Sequence, residues 1–278
     1  MNSLTNILVH LDDGQACGER LELSAQLAQS YDAHLSALYV GRFLTQALLV
    51  DAPPSGMLIE ALEKEQRNRT AKARELFESR TSNLESRREF HDEDGDPVYW
   101  LTLYGRYADV IVVQQPDEGD AVIGAGAMLG ALALSCGRPV LVIPRTGVKS
   151  LSAGRVMIAW NGSKEAARAV ADALPFLEKA SEVEVVTVAE AKSTADGAGP
   201  SVHDLCQHLE LHGIKAAAIE LPRPKIKIAD ALLSRAAAQR ADLVVLGAYG
   251  HSRFRELVLG GVTQNFLSNS AVPLLLSH

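Results

Sequence analysis

A glycine-rich segment near the end of the chain has the residue types and spacing to bind an anionic ligand. In LVVLGAYGHSRFRELVLGGVTQNFL, from Leu243 to Leu267, an apolar run is followed by Gly247, Gly250, Gly260, Gly261 and Thr263. Glycine lets the backbone N–H groups come close to a ligand because it can adopt positive φ. A helix that opens at the second glycine pair would add free N–H groups and a partial positive charge. The spacing G-x2-G-x9-G-G-x-T therefore predicts a phosphate site, with the Thr263 hydroxyl as a further donor.

Two well-known phosphate motifs do not fit this segment. The spacing is not G-x-G-x-x-G, and the lysine of G-x-x-x-x-G-K-[ST] is absent, so neither a dinucleotide fingerprint nor a P-loop is supported. The alternative is that these glycines only make turns around a helix packed closely against a strand.

Composition limits the classes of partner. The chain has 278 residues and a formal net charge of -7, which argues against a general nucleic-acid binder, since that function needs a basic surface. No signal peptide or apolar run long enough to span a membrane is visible. The cysteines, Cys17, Cys136 and Cys206, have no C-x-x-C spacing and indicate free thiols in a reducing compartment. We therefore expect a cytoplasmic protein without membrane partners.

The chain reads as two tandem copies of one pattern. NILVHLDDGQ at 6–15 resembles RVMIAWNGSK at 155–164, ADVIVVQQ at 108–115 resembles ADLVVLGA at 241–248, and GRPVLVIP at 137–144 resembles AVPLLLSH at 271–278. A polar, Gly- and Ser-containing stretch at 145–154 separates the copies, as a linker would. We predict domains at residues 1–147 and 153–278.

Each copy alternates strands and helices. The second copy predicts strands at Arg155–Trp160, Val183–Val188, Lys215–Leu221, Asp242–Leu246 and Val272–Leu276, and helices at Ser163–Lys179, Val202–His212, Ile226–Arg240 and Gly261–Ser268. Ser163 is a candidate N-cap of the first of these helices, and Gly213 ends the second. Continuously apolar strands indicate a parallel sheet covered on both faces. The predicted fold is α/β, with two doubly wound domains that each have a five-stranded, mainly parallel sheet.

Two further expectations concern the first copy and the junction of the copies. The first copy carries an insertion, Met57–Arg88, which reads as a charged, solvated helix. The last strands of the copies, Pro139–Ile143 and Pro273–Leu276, are expected to pair and so to cover two exposed sheet edges. The pairing would make the two domains an intramolecular pseudo-dimer, and it leaves a homodimer open.

The glycine spacing at a strand exit and the stretch VMIAWNGSKEAARAV resemble the nucleotide motif and the first strand and helix of the universal stress protein family. The resemblance implies a five-stranded α/β sandwich that binds ATP in the motif-bearing members, with a tandem form among them. It implies adenosine contacts at the end of the first and second strands, and ribose and phosphate contacts at the glycine segment. The implied residues are Ala159, Trp160, Asn161, Val188, Leu246, Gly247, Gly250, Gly260, Gly261, Val262 and Thr263.

Two positions depart from the family pattern. Asn161 stands where the family has Asp, and an amide can hydrogen-bond a ribose hydroxyl but carries no charge. Gly261 stands where the family usually has Ser or Thr, which removes one side-chain donor to phosphate. The expected cofactor is therefore ATP, ADP or AMP, with or without Mg²⁺.

The first copy keeps carboxylates at the end of its first strand, Asp12 and Asp13, but QQPDEGD at 114–120 lacks the paired glycines. We expect this copy to be structural, without nucleotide. His208 and His212 lie four residues apart, a spacing that metal sites use, but no downstream ligand accompanies them, and we expect a helix face instead of a metal site.

No catalytic residue stands out. The sequence favours a nucleotide-binding regulatory module of the stress response with at most slow ATP hydrolysis. A metal-assisted ATP hydrolase and a nucleotide-free interaction protein remain as alternatives.

Overall fold

The computed structural model describes residues 4–41, 56–116, 125–148, 150–151, 153–189, 201–248 and 261–278. By its internal contacts the chain divides between Gln114 and Gln115 into two compact units. This division concerns packing and places residues 115–147 with the second unit. The predicted boundaries at 147 and 153 concern the sequence copies, and they stay a prediction.

The first unit, Leu4–Gln114, is built from βα repeats. Its elements are β1 (Asn6–Leu11), α1 (Cys17–Tyr31), β2 (His34–Gly41), α2 (Gly56–Arg80), a 3₁₀ turn (Ser82–Leu84), β3 (Arg88–Asp94), α3 (Pro97–Gly105) and β4 (Val110–Gln114). The strands are ordered β3-β2-β1-β4, and the pairs β2–β3, β1–β2 and β1–β4 are parallel. β1 therefore lies between β2 and β4.

The second unit, Gln115–His278, repeats this arrangement. Its elements are α4 (Ala125–Ser135), β5 (Val140–Ile143), β6 (Arg155–Ala159), α5 (Lys164–Lys179), β7 (Glu182–Val188), α6 (Val202–Leu211), β8 (Ala216–Leu221), α7 (Ile228–Gln239), β9 (Leu243–Gly247), α8 (Gly261–Asn269) and β10 (Leu274–Ser277). The strand order is β5-β10-β9-β6-β7-β8. Among the helices within the described ranges, none is both long and apolar enough to cross a membrane.

The predicted pairing of the last strands is confirmed. β5 and β10 are antiparallel, with Leu274 opposite Val142 and Leu276 opposite Val140, whereas the other pairs of the second unit are parallel. Each sequence copy contributes five strands, β1–β5 and β6–β10. The predicted fold class, α/β with mainly parallel strands in two doubly wound halves, is confirmed.

The repeat is visible in individual hydrogen bonds. The Asp109 carboxylate, before β4, accepts from the Asn6 amide at 3.0 Å, and the Asp242 carboxylate, before β9, accepts from the Arg155 amide at 2.8 Å. Each aspartate thus joins the start of one strand to the start of its parallel neighbour. The apolar strand residues, such as Val156, Met157 and Ile158, are buried, because helices cover both sheet faces.

The charged insertion differs from its prediction. Helix was expected over Met57–Arg88, but α2 ends at Arg80, where the Thr81 hydroxyl donates to the Phe77 carbonyl at 2.6 Å. The unpredicted strand β3 then begins at Arg88. Its sequence REFHDED has a single apolar side chain, Phe90, whose ring lies 5.6 Å from that of Phe77. Because most side chains of β3 are charged, the strand has no apolar run of the kind that predicts the other strands.

Candidate functional site

Five of the predicted site residues lie at the carboxyl ends of two adjacent strands. Ala159 ends β6 and is paired with Leu246 of β9, and Gly247 ends β9. Trp160 and Asn161 follow β6 directly, and the Trp160 amide donates to the Val186 carbonyl of β7 at 2.8 Å. Because β6 has β7 on one side and β9 on the other, the gap between β6 and β9 is the switch point at which open α/β sheets bind ligands.

The turn from β6 into α5 is fixed by two side chains. Asn161 Oδ1 accepts from the Ser163 amide at 3.1 Å, and Ser163 Oγ accepts from the Ala166 amide at 3.2 Å. Gly162 between them has φ 72°, a left-handed conformation that favours glycine. Ser163 is therefore the N-cap of α5, as predicted. Because Oδ1 accepts a hydrogen bond in this turn, Nδ2 is the Asn161 group that remains to donate to a ligand.

Within the part of the chain that the structure describes, the buried indole N–H of Trp160 has no hydrogen-bond partner. A buried unpaired donor costs free energy, and at a strand exit it could be satisfied by a ligand acceptor.

Gly247 is required by packing within the protein. A Cβ at this position would lie 2.5 Å from Ala166 N and from the carbonyl carbon of Glu165. The φ of Gly247 is not positive. The expectation of a left-handed turn is therefore wrong for this residue, because β9 needs glycine to let the first turn of α5 approach. For Gly247, the alternative of a helix packed closely on a strand describes the structure.

The remaining predicted residues lie on three elements or fall outside the described ranges. Val188 ends β7. Gly261, Val262 and Thr263 form the first turn of α8, where Thr263 is only 4% exposed and a Cβ on Gly261 would meet nothing within 4 Å. Gly250 and Gly260 lie outside the described residues. The ligand contacts of the whole predicted set stay a prediction.

One carboxylate near this edge was not singled out from the sequence. Glu165, in the first turn of α5, is 6% exposed, and its Oε1 lies 3.6 Å from the Lys164 ammonium. Its Cβ is among the atoms closest to a Cβ built on Gly247, at 2.9 Å. The only signal in the sequence is an acidic residue two positions after an N-cap, which many helices have for capping alone.

Other constellations do not form a reaction centre. The His208 and His212 rings contact each other with centroids 4.9 Å apart. Within the described residues, no group of three or more His, Cys, Asp or Glu side chains is placed to hold a metal ion. Burial raises the pKa of the thiols of Cys17, Cys136 and Cys206, which lowers their thiolate fraction and their reactivity.

The corresponding strand exit in the first unit holds charged side chains. Asp12 follows β1, and its Oδ1 accepts from the Gly14 amide at 2.9 Å. Burial alone would raise the pKa of Asp12, but the Arg20 guanidinium, His10 and the Gly14 amide together lower it. The neighbouring Asp13 accepts from the Tyr39 hydroxyl and from Arg69 Nη1, both at 3.2 Å.

The geometry defines a doubly wound α/β protein of two similar halves. Residues 153–278 match the universal stress protein family profile. The whole fold is similar to a universal stress protein from Archaeoglobus fulgidus, with TM-score 0.72 and 16% identity over 98% of this chain and 97% of that one. A putative universal stress protein from Pseudomonas aeruginosa gives TM-score 0.59 and 16% identity over 99% and 93% of the two chains.

A protein of unknown function from Pseudomonas aeruginosa is similar as well, with TM-score 0.60 and 15% identity over 99% of this chain and 92% of that one. Among curated proteins, none matches the chain. Residues 153–278 therefore form a universal stress protein domain, and over its whole length the chain shares the fold of these solved structures.

Proposed function

We propose that the second half binds an adenine nucleotide at the carboxyl ends of β6 and β9, and that the chain acts in the cytoplasm as a regulatory module of the stress response. The observation that carries this proposal is the pairing of Ala159 with Leu246 at the switch point of the sheet, with Asn161 and Gly247 next to them. Open α/β sheets bind ligands at such points.

The chemistry of the described residues suits a nucleotide that is held mainly by uncharged donors. Asn161 Nδ2 is available to a ribose oxygen because Oδ1 binds the Ser163 amide. The first turn of α8 offers free backbone N–H groups and a partial positive charge to phosphate. Gly261 has no hydroxyl to add, so the site has one donor fewer for the outer phosphates. We therefore propose ATP, ADP and AMP as ligands, with or without Mg²⁺.

Equilibrium dialysis of the purified chain against labelled ATP, ADP and AMP, with and without Mg²⁺, tests the proposal. Asn161→Ala should weaken binding about tenfold, since a lost hydrogen bond costs about 1–1.5 kcal/mol. Asn269→Ala is the matched control, because Asn269 is exposed at the end of α8 and its side chain donates to Asn265 of the same helix. No uptake of any of the three nucleotides at millimolar concentration would refute the proposal and favour a nucleotide-free interaction protein.

Glu165 is the observation that keeps a hydrolase as the second candidate. A carboxylate can act as general base in phosphoryl transfer, and Glu165 lies beside the end of β9. Its burial and its contact with Lys164 argue against this role. In a single-turnover assay with ATP and Mg²⁺, we expect slow turnover that Glu165→Gln leaves unchanged. Fast turnover that this variant abolishes would establish the hydrolase.

A further inference from the structure

Strand pairing fixes which residues of the two halves are equivalent. Ile7 of β1 is paired with Val110 of β4, and Val156 of β6 is paired with Leu243 of β9. Ile7 is therefore equivalent to Val156, and Val110 to Leu243. Equivalent residues of the two halves therefore differ in number by 156 − 7 = 149 in β1 and the helix after it, and by 243 − 110 = 133 in β4. The buried positions of α1 and α5 agree with the first offset, at Cys17 and Ala166, Arg20 and Ala169, Leu21 and Val170, and Ser24 and Ala173.

In the first half, a side chain fills the switch point. Arg20 is 1% exposed, and its Nε donates to the His10 carbonyl at 2.9 Å while Nη1 donates to Gln114 Oε1 at 3.1 Å. Its Nη2 forms an ion pair with Asp12 Oδ2 at 2.9 Å, although the geometry there is not that of an aligned hydrogen bond. The guanidinium therefore binds the ends of both β1 and β4, where a ligand would otherwise bind.

In the second half, all three side chains of this arrangement are replaced. Arg20 corresponds to Ala169, Asp12 to Asn161 and Gln114 to Gly247. Ala169 cannot reach the strand ends, Asn161 has no charge to attract a cation, and Gly247 has no side chain. The carbonyl of Ala159, which corresponds to that of His10, is the one acceptor retained. These three differences at one location indicate that a side chain occupies the switch point in the first half and that none does so in the same way in the second half.

We propose that the Arg20 side chain excludes nucleotide from the switch point of the first half, whereas Ala169 places no side chain between the strand ends of the second half, so that the chain binds one adenine nucleotide. This inference rests on the proposed function, and it adds two specificity-determining residues and a stoichiometry. Ala169 acts through the small size of its side chain, which is a single methyl group.

The test introduces an arginine into the second half at the position equivalent to Arg20. Ala169→Arg combined with Asn161→Asp restores two of the three contacts of Arg20, the ion pair and the bond to the strand carbonyl. Equilibrium dialysis with labelled ATP should show one nucleotide per wild-type chain and at least 100-fold weaker binding by the double variant. Ala167→Arg combined with Asn269→Asp is the control, since both residues are exposed and the change in composition is the same; it should bind like the wild type.

The outcomes separate this inference from the proposed function. Two nucleotides per wild-type chain, or unchanged binding by the folded double variant, would overturn the inference and leave nucleotide binding intact. No binding of ATP, ADP or AMP by the wild type would refute both. If the double variant does not fold, Ala169→Met fills the same position without charge and should weaken binding at least tenfold; a folded Ala169→Met chain with wild-type affinity would overturn the inference.

Discussion

Replacing Gly247 with alanine should lower the free energy of unfolding by about 2–3 kcal/mol, although it adds one methyl group. The new Cβ would lie 2.5 Å from Ala166 N and from the Glu165 carbonyl carbon, and 2.9 Å from Glu165 Cβ. Two of these atoms belong to the backbone of α5, so they cannot move aside as the end of a flexible side chain would. Overpacking that shifts the backbone typically costs about 1–3 kcal/mol, and contacts this short belong at the upper end of that range.

Urea unfolding followed by circular dichroism measures this cost, and a thermal melt should show a decrease of about 4–12 °C for a unit of this size. Gly261→Ala is the matched control in the same unit, because a Cβ there would meet nothing within 4 Å. It should change the stability by less than about 0.5 kcal/mol, or stabilise slightly by restricting the unfolded chain. Equal unfolding midpoints for the two variants would refute the close approach of α5 to β9.

Further substitutions probe the contacts described above. Arg20→Met should destabilise the chain by about 2–3 kcal/mol, because it removes the bonds to the His10 carbonyl and to Gln114 together with the cation that faces Asp12; adding Asp12→Asn should recover part of that loss in urea unfolding. Since the pKa of Asp12 is lowered in the folded state, the stability from this carboxylate is present above its unfolded pKa of about 3.9 and is lost as the pH falls through the folded pKa; a constant difference between wild type and Asp12→Asn from pH 7 to pH 2 would contradict this. Ser163→Ala should cost about 1 kcal/mol in thermal melts through the lost N-cap, whereas Ser234→Ala, on an exposed helix face, should cost little. Gly261→Ser should strengthen ATP binding about tenfold by adding a donor to phosphate and leave AMP binding unchanged in calorimetry; equal gains for both nucleotides would argue against a contact with the outer phosphates.

Local signals made the second copy predictable. Continuous apolar runs gave its strands, and Ser163 and Gly213 marked a helix start and a helix end, the latter with φ 76°. Each of these features depends on residues that are close together in the chain, so it can be recognised in one sequence without knowledge of the tertiary structure. The pairing of β5 with β10 was predictable for a different reason, because two equivalent edge strands in one chain can cover each other.

Contacts between distant residues were not predictable in the same way. Arg20 and Gln114 are 94 positions apart, and nothing near either residue indicates the other until the pairing of β1 with β4 is known. The packing requirement for glycine at position 247 could not be predicted either. The atoms nearest to it belong to the backbone of α5, and every helix has such atoms whatever its sequence. Strand β3 was missed because its polar residues are paired with α2, as Asp92 is with Arg74 at 3.2 Å, and charge alone does not show that pairing.

The two halves also predict an energetic coupling that can be measured. Gln114 has a Cβ where Gly247 has none, so α1 must begin farther from β4 than α5 does from β9; otherwise the contacts of 2.5 Å would occur there too. A long side chain at position 20 and a small one at 169 are consistent with these two spacings. Ala169→Arg with Asn161→Asp should therefore move α5 away from β9 and reduce the cost of Gly247→Ala by about 1 kcal/mol or more in a mutant cycle. Strict additivity of the two changes would show that the helix position and the internal cation are independent.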